Sequence, residues 1–204
     1  MSLIITVGLL HLLALISPGP DFILCARNSL AYSRKMGLWT ALGFSGGIAV
    51  HMTYCIAGIA VIISQSIMLF NIMKWLGALY LIYIGIQSWR AKHTTIHIDA
   101  HKHKHMISAF QAVKMGFLTN ALNPKATLFF LSAFTLIISP STPIWIQLAI
   151  GVWCVVQTFL WFGFVATVLT IPRVRRVFER FQGFFNKFFG GALVVLGIKV
   201  ATTD

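Results

Sequence analysis

Apolar runs fill most of this chain. Six are long enough to form helices, over residues 3–26, 38–63, 67–89, 108–138, 144–171 and 184–201. A helix of about 20 apolar residues crosses the hydrocarbon core of a bilayer. The pattern therefore predicts an all-α integral membrane protein with six transmembrane helices. Few polar residues separate the runs. Ser64-Gln65-Ser66 lies between the second and third, and the turn-forming Ser139-Pro140-Ser141-Thr142-Pro143 between the fourth and fifth. The first and fourth runs are themselves broken at proline. Ser17-Pro18-Gly19-Pro20-Asp21 divides Leu3–Ile16 from Phe22–Ala26, and Asn123-Pro124-Lys125 stands between Ala121-Leu122 and Ala126–Ile138.

Composition narrows this further. Of 204 residues 58% are hydrophobic and 10% charged, against about 25% charged in a soluble domain. Six helices use up the chain, so it reads as one transporter-sized domain, 1–204. Its half-repeats are residues 1–90 and 106–204, joined by a His/Lys-rich cytoplasmic loop at 91–105. Three helices per half is an odd number, so the second half would insert upside down, as an inverted repeat of three plus three. Setting Pro18 on Pro124 also brings His51 onto Gln157.

A net charge of +12 suggests nucleic acid at first sight, but the placement of the charges argues against it. Arg27, Arg34 and Lys35 follow the first run. Arg90, Lys92, Lys102 and Lys104 follow the third, with Lys114 just inside the fourth. Arg173, Arg175, Arg176, Arg180 and Lys187 follow the fifth, while the opposite side holds only Lys74 and Lys199. Lys and Arg mark cytoplasmic loops. Both termini are thus expected outside (periplasmic), and the basic loops beside anionic lipid headgroups. No basic segment precedes Leu3–Ile16, which reads as a retained helix rather than a cleaved signal. Cys25, Cys55 and Cys154 form no Cys-x-x-Cys pair and read as small apolar packing residues. No Gly-x-x-x-x-Gly-Lys-Ser/Thr run exists, so no nucleotide drive and no cofactor are expected. A membrane enzyme is disfavoured by the lack of a nucleophile motif or a second intramembrane carboxylate.

The breaks carry the chemistry. A proline in a helix lacks its own N–H and blocks the carbonyl four residues back. This frees the carbonyls of Ala14 and Ile16 at one break and of Asn120 at the other. Such groups persist at membrane depth only against protein or a wet cavity. Ser17 and Asn123 read as N-caps, with Pro18 and Pro124 in the first helical position and Gly19 and Pro20 completing the first break. Each new helix N-terminus offers free N–H groups and partial positive charge to a carboxylate. A charge here costs about 2.5–3.5 kcal/mol on insertion scales and marks a pathway. Asp21 reads as partner to a substrate ammonium or as carrier of a driving proton, or else as a complement to the helix dipole. Lys125 reads as holder of a substrate carboxylate or as partner of Asp21, or else as a lysine snorkelling to the interface. Together they suit a zwitterion, and paired broken helices point to a transporter's binding site.

Gly43, Gly47 and His51 recur at four-residue spacing on one stripe. The stripe should pack closely on a neighbour, expected to be the first break. His51 is then either a proton relay or a hydrogen-bonded core histidine. Asn120, Gln157 and Arg27 are weaker pathway candidates. His93, His97, Asp99, His101, His103 and His105 suggest a metal site, and with it a divalent metal-ion exporter as the alternative function. The interleaved Lys102 and Lys104 and the irregular spacing favour a solvated loop instead, so no metal ligand is assigned.

The two proline motifs are joined by Lys74-Trp75-Leu76-Gly77-Ala78-Leu79-Tyr80-Leu81-Ile82-Tyr83-Ile84-Gly85. Arg34 to Gly37 precedes the glycine stripe, and Phe189-Gly190-Gly191-Ala192-Leu193 runs on to Gly197. With these features the chain resembles the lysine exporter (LysE) family, in its homoserine/threonine exporter (RhtB) branch, over essentially its whole length. The His-rich loop and the ending Thr135–Ser139 depart from that family's pattern. The resemblance implies a bacterial inner-membrane exporter of homoserine-, threonine- or lysine-type amino acids driven by proton antiport. It also implies that Asp21, Asn123 and Lys125 line the central site. Its partners would be an amino acid, protons and lipid. The particular amino acid, and whether two copies form a homodimer, are left open.

Overall fold

The computed structural model describes residues 2–17, 19–65, 67–90, 106–138, 141–171, 180–181, 183–184, 187–188, 190–191, 193–195 and 197–198. Every regular element among them is an α-helix: α1 (Ser2–Ile16), α2 (Pro20–Ala31), α3 (Arg34–Gln65), α4 (Ile67–Arg90), α5 (Ala109–Ala121), α6 (Pro124–Leu136) and α7 (Ile144–Val168). Among the described residues two helices are long and apolar enough to cross a membrane, α3 over Arg34–Gly58 and α7 over Ile144–Val168. The pair α1 and α2, bent by 60°, passes the same test as one broken span.

Both breaks exist, and they are built differently. At the second, Asn123 caps α6 by accepting from the Lys125 N–H at 3.0 Å, with Pro124 in the first turn, as the sequence predicts. At the first, the helix restarts one proline later than expected. The Ser17 N–H still donates to the Leu13 carbonyl at 3.2 Å, so α1 persists to the residue expected to cap its successor. Extended Gly19 takes the cap position and Pro20 begins α2. Pro18 lies outside the described residues, as do Ser66, Ser139, Pro140, Arg173, Arg175, Arg176 and the histidines of loop 91–105. Helix α5 opens with a reciprocal cap between Ser108 and Gln111, at 2.8 and 3.1 Å.

Helix α3 lies at the centre, against α2, α5, α6 and α7, while α1 packs on α7 and α4 on α6. Helical residues between 180 and 198 also back α4, with Gly85 facing Gly190 and Val194 and Gly197 facing Ala78 and Ile82. The glycine stripe of α3 meets α5 and the second break, not the first as expected. Four-residue spacing makes a flat helix face but does not name its partner. Gly43 abuts the backbone of Val113 and Phe117. A Cβ on Gly47 would stand 2.7 Å from Asn120 Cβ, and one on Gly116 3.2 Å from Gly43 Cα. Gly116→Val should therefore cost about 1–3 kcal/mol, read as a lowered thermal midpoint of the detergent-purified protein. Gly58→Ala is the control, because its added methyl meets nothing within 4 Å.

Two apolar clusters form the core. One gathers Ile48, Met52, Phe130, Phe134 and Cys154, the other Leu15, Phe22, Cys25, Phe44 and Phe162. All three cysteines are buried and free, as their apolar reading requires.

Candidate functional site

Two of the carbonyls that proline sets free, those of Ala14 and Asn120, find side-chain donors from the opposite half of the chain. Ala14 O receives Lys125 Nζ at 3.2 Å, and Ser17 O receives the same ammonium at 2.8 Å. Asn120 O receives His51 Nε2 at 3.0 Å and the Asn123 N–H at 2.9 Å. Since that carbonyl can only accept, Nε2 of His51 carries the proton, and Nδ1 of the neutral ring accepts from Tyr54 OH at 2.6 Å. The second half thus closes the first break, and the first half closes the second.

Asp21 is buried in the first turn of α2, where the helix dipole favours a carboxylate. Its Oδ2 accepts from Asn120 Nδ2 at 2.8 Å. Asn120 therefore joins His51 through its backbone and Asp21 through its side chain. Asp21 Oδ1 and Asn120 Oδ1 are both buried without a hydrogen-bond partner. Lys125 does not pair directly with Asp21. It spends two of its three N–H donors on the carbonyls of the first break.

These groups surround one cavity. Ser17, Gly19, Asp21, Asn120, Asn123 and Lys125 make its polar wall, and Ile48, Phe129, Phe130 and Phe162 much of its apolar wall. It lies where the two core clusters meet. His51 stands behind Asn120 instead of lining this space, and Arg27 is exposed on α2. Pro20 and Pro124 sit exposed at the two helix starts.

His11 also lines the cavity, 1% exposed, and sequence reasoning passed it over. Its signal was the one applied to His51, an ionisable ring inside an apolar run. It lies 5.2 Å from Phe130 and 6.0 Å from Phe129, centroid to centroid. Gln157 reaches the site only through this ring, accepting from Nδ1 at 2.8 Å. Among the described residues no group of three or more His, Cys, Asp or Glu could hold a metal ion.

The family model of LysE type translocators matches residues 12–204. A threonine efflux protein of Escherichia coli (strain K12) is 30% identical over 200 residues, covering 97% of each chain. A homoserine/homoserine lactone efflux protein of Salmonella typhimurium is 28% identical over 193 residues, 92% of this chain and 90% of that one. An uncharacterized membrane protein of Bacillus subtilis (strain 168) is 33% identical over 191 residues, 90% of this chain and 91% of its own. No solved structure matches. A match over nearly the whole chain makes this helical protein a member of the LysE-type translocators, a transporter and not an enzyme.

Proposed function

We propose that this translocator exports amino acids from the cytoplasm across the bacterial inner membrane in exchange for protons. One observation carries the reading: the two breaks meet at a single cavity, one bringing the Asp21 carboxylate and the other the Lys125 ammonium. An amino acid is a zwitterion. Its ammonium would satisfy the unpartnered Oδ1 atoms of Asp21 and Asn120. Its carboxylate would take the remaining N–H of Lys125 and the positive end of a helix dipole. The names of the relatives, threonine efflux and homoserine/homoserine lactone efflux, support this substrate class.

Export requires this site to open to one membrane face at a time. Protonation of Asp21 from outside would release the ammonium there, and loss of that proton inside would restore the acceptor. Asn123 holds the start of α6, and His51 holds Asn120, within reach of both events. Six crossings in an inverted repeat of three plus three, with both termini outside and loop 91–105 near anionic headgroups, complete the reading. The crosswise packing supports it, with α3 on α5 and α7 on α1. The test is transport by reconstituted proteoliposomes of a panel of labelled amino acids, with and without an imposed pH gradient. Gradient-driven movement of at least one amino acid is expected. Flux of a divalent cation with no amino-acid movement would overturn the proposal in favour of metal export.

A further inference from the structure

The apolar wall of the cavity holds one hydrogen-bond acceptor whose proton state the surrounding bonds determine. Gln157 Nε2 donates to the Gly8 carbonyl at 3.0 Å. A carbonyl cannot donate, so the amide nitrogen must face Gly8 and Oε1 must face His11. Oε1 in turn only accepts, so the His11 Nδ1 at 2.8 Å carries the ring proton. The neutral ring then presents a bare lone pair at Nε2, which is buried without a partner. Buried polar atoms are nearly always satisfied, and an exception calls for a ligand or another physical reason.

An amino acid bears three groups at its Cα besides hydrogen, and the residues lining the cavity offer three kinds of partner. Asp21 and Asn120 offer acceptors to the ammonium, and Lys125 at the second break offers a donor to the carboxylate. The third kind is His11 with Phe129, Phe130 and Ile48. It falls to the side chain. An aliphatic side chain would pack against these residues and leave Nε2 unpaired. A side chain with a hydroxyl would pack there and donate to Nε2. We infer that His11 is a specificity-determining residue that selects hydroxyl-bearing amino acids, and that Gln157 is a positioning residue fixing the ring as an acceptor. The inference rests on the amino-acid reading above and deepens it.

Threonine and valine test it, since they differ by a hydroxyl in place of a methyl at nearly constant shape. Competition between the two labelled amino acids in proteoliposomes gives their transport ratio directly. The wild-type protein should prefer threonine by about 10- to 100-fold, the worth of one satisfied buried acceptor. His11→Phe should lower threonine transport about 10- to 100-fold more than it lowers valine transport, collapsing the ratio. Gln157→Leu frees the ring to take either tautomer and should lower the ratio part of the way. If His11→Phe does not reconstitute, Gln157→Leu alone decides. An unchanged ratio, or equal loss of both substrates, would overturn the role assigned to the ring. A wild-type protein that moves no amino acid refutes the export reading itself, and that result comes before any variant is made.

Discussion

Asp21→Asn should abolish export and leave the fold in place. The two side chains have nearly the same shape, and the asparagine oxygen can still accept from Asn120 Nδ2, 2.8 Å away in the native protein. What disappears is the charge and the ability to carry a proton. Replacing the charged partner of a substrate ammonium by a neutral amide forfeits up to about 3 kcal/mol of binding, the upper worth of a hydrogen bond to a charged group. At about 1.4 kcal/mol per tenfold, transport should fall by about 100-fold. The thermal midpoint should stay close to native. Residual movement should also ignore an imposed pH gradient, because the group proposed to couple protons to substrate is gone. Export by Asp21→Asn that still follows the gradient would show that the coupling proton travels elsewhere.

Lys125→Met should damage both transport and stability. The Lys125 ammonium donates to two carbonyls at the first break, those of Ala14 and Ser17. A methionine of similar length fills the space but donates nothing. Each carbonyl left unmet costs about 1–3 kcal/mol, so the thermal midpoint should drop clearly below that of Asp21→Asn. Transport should fall by about 100-fold as well, through loss of the carboxylate partner. A lysine that merely reached for the interface would show neither effect. A native midpoint in Lys125→Met would mean that other donors serve the two carbonyls, and would remove the residue from its structural role.

Proline made the breaks legible because a missing N–H is a covalent fact that no tertiary contact can reverse. The freed carbonyls of Ala14 and Asn120 could be named in advance, and each is found accepting a side-chain donor. The identity of the donors could not be read so. Lys125 answers Ala14 across 111 residues of chain, and His51 answers Asn120 across 69. Local rules carry no information over such separations. The Gly43-Gly47-His51 stripe announced a close contact and left its partner open. Ser17 had the right chemistry for a cap, yet its N–H remained committed to Leu13, so the cap passed to Gly19. His11 was missed because no proline or charge stands beside it to draw attention. Its meaning comes only from Gln157, 146 residues away.

The exchange of donors between halves bears on how the protein is made. As the chain emerges from the ribosome, α1 and α2 are synthesised long before Lys125 exists. Through that interval the Ala14 carbonyl lacks the ammonium it meets in the finished protein. Asn120 by contrast emerges after His51, so the second break meets a waiting partner at once. The first break is therefore made before the second but finished after it, and the nascent chain must hold an open helix end in or near the lipid until Lys125 arrives.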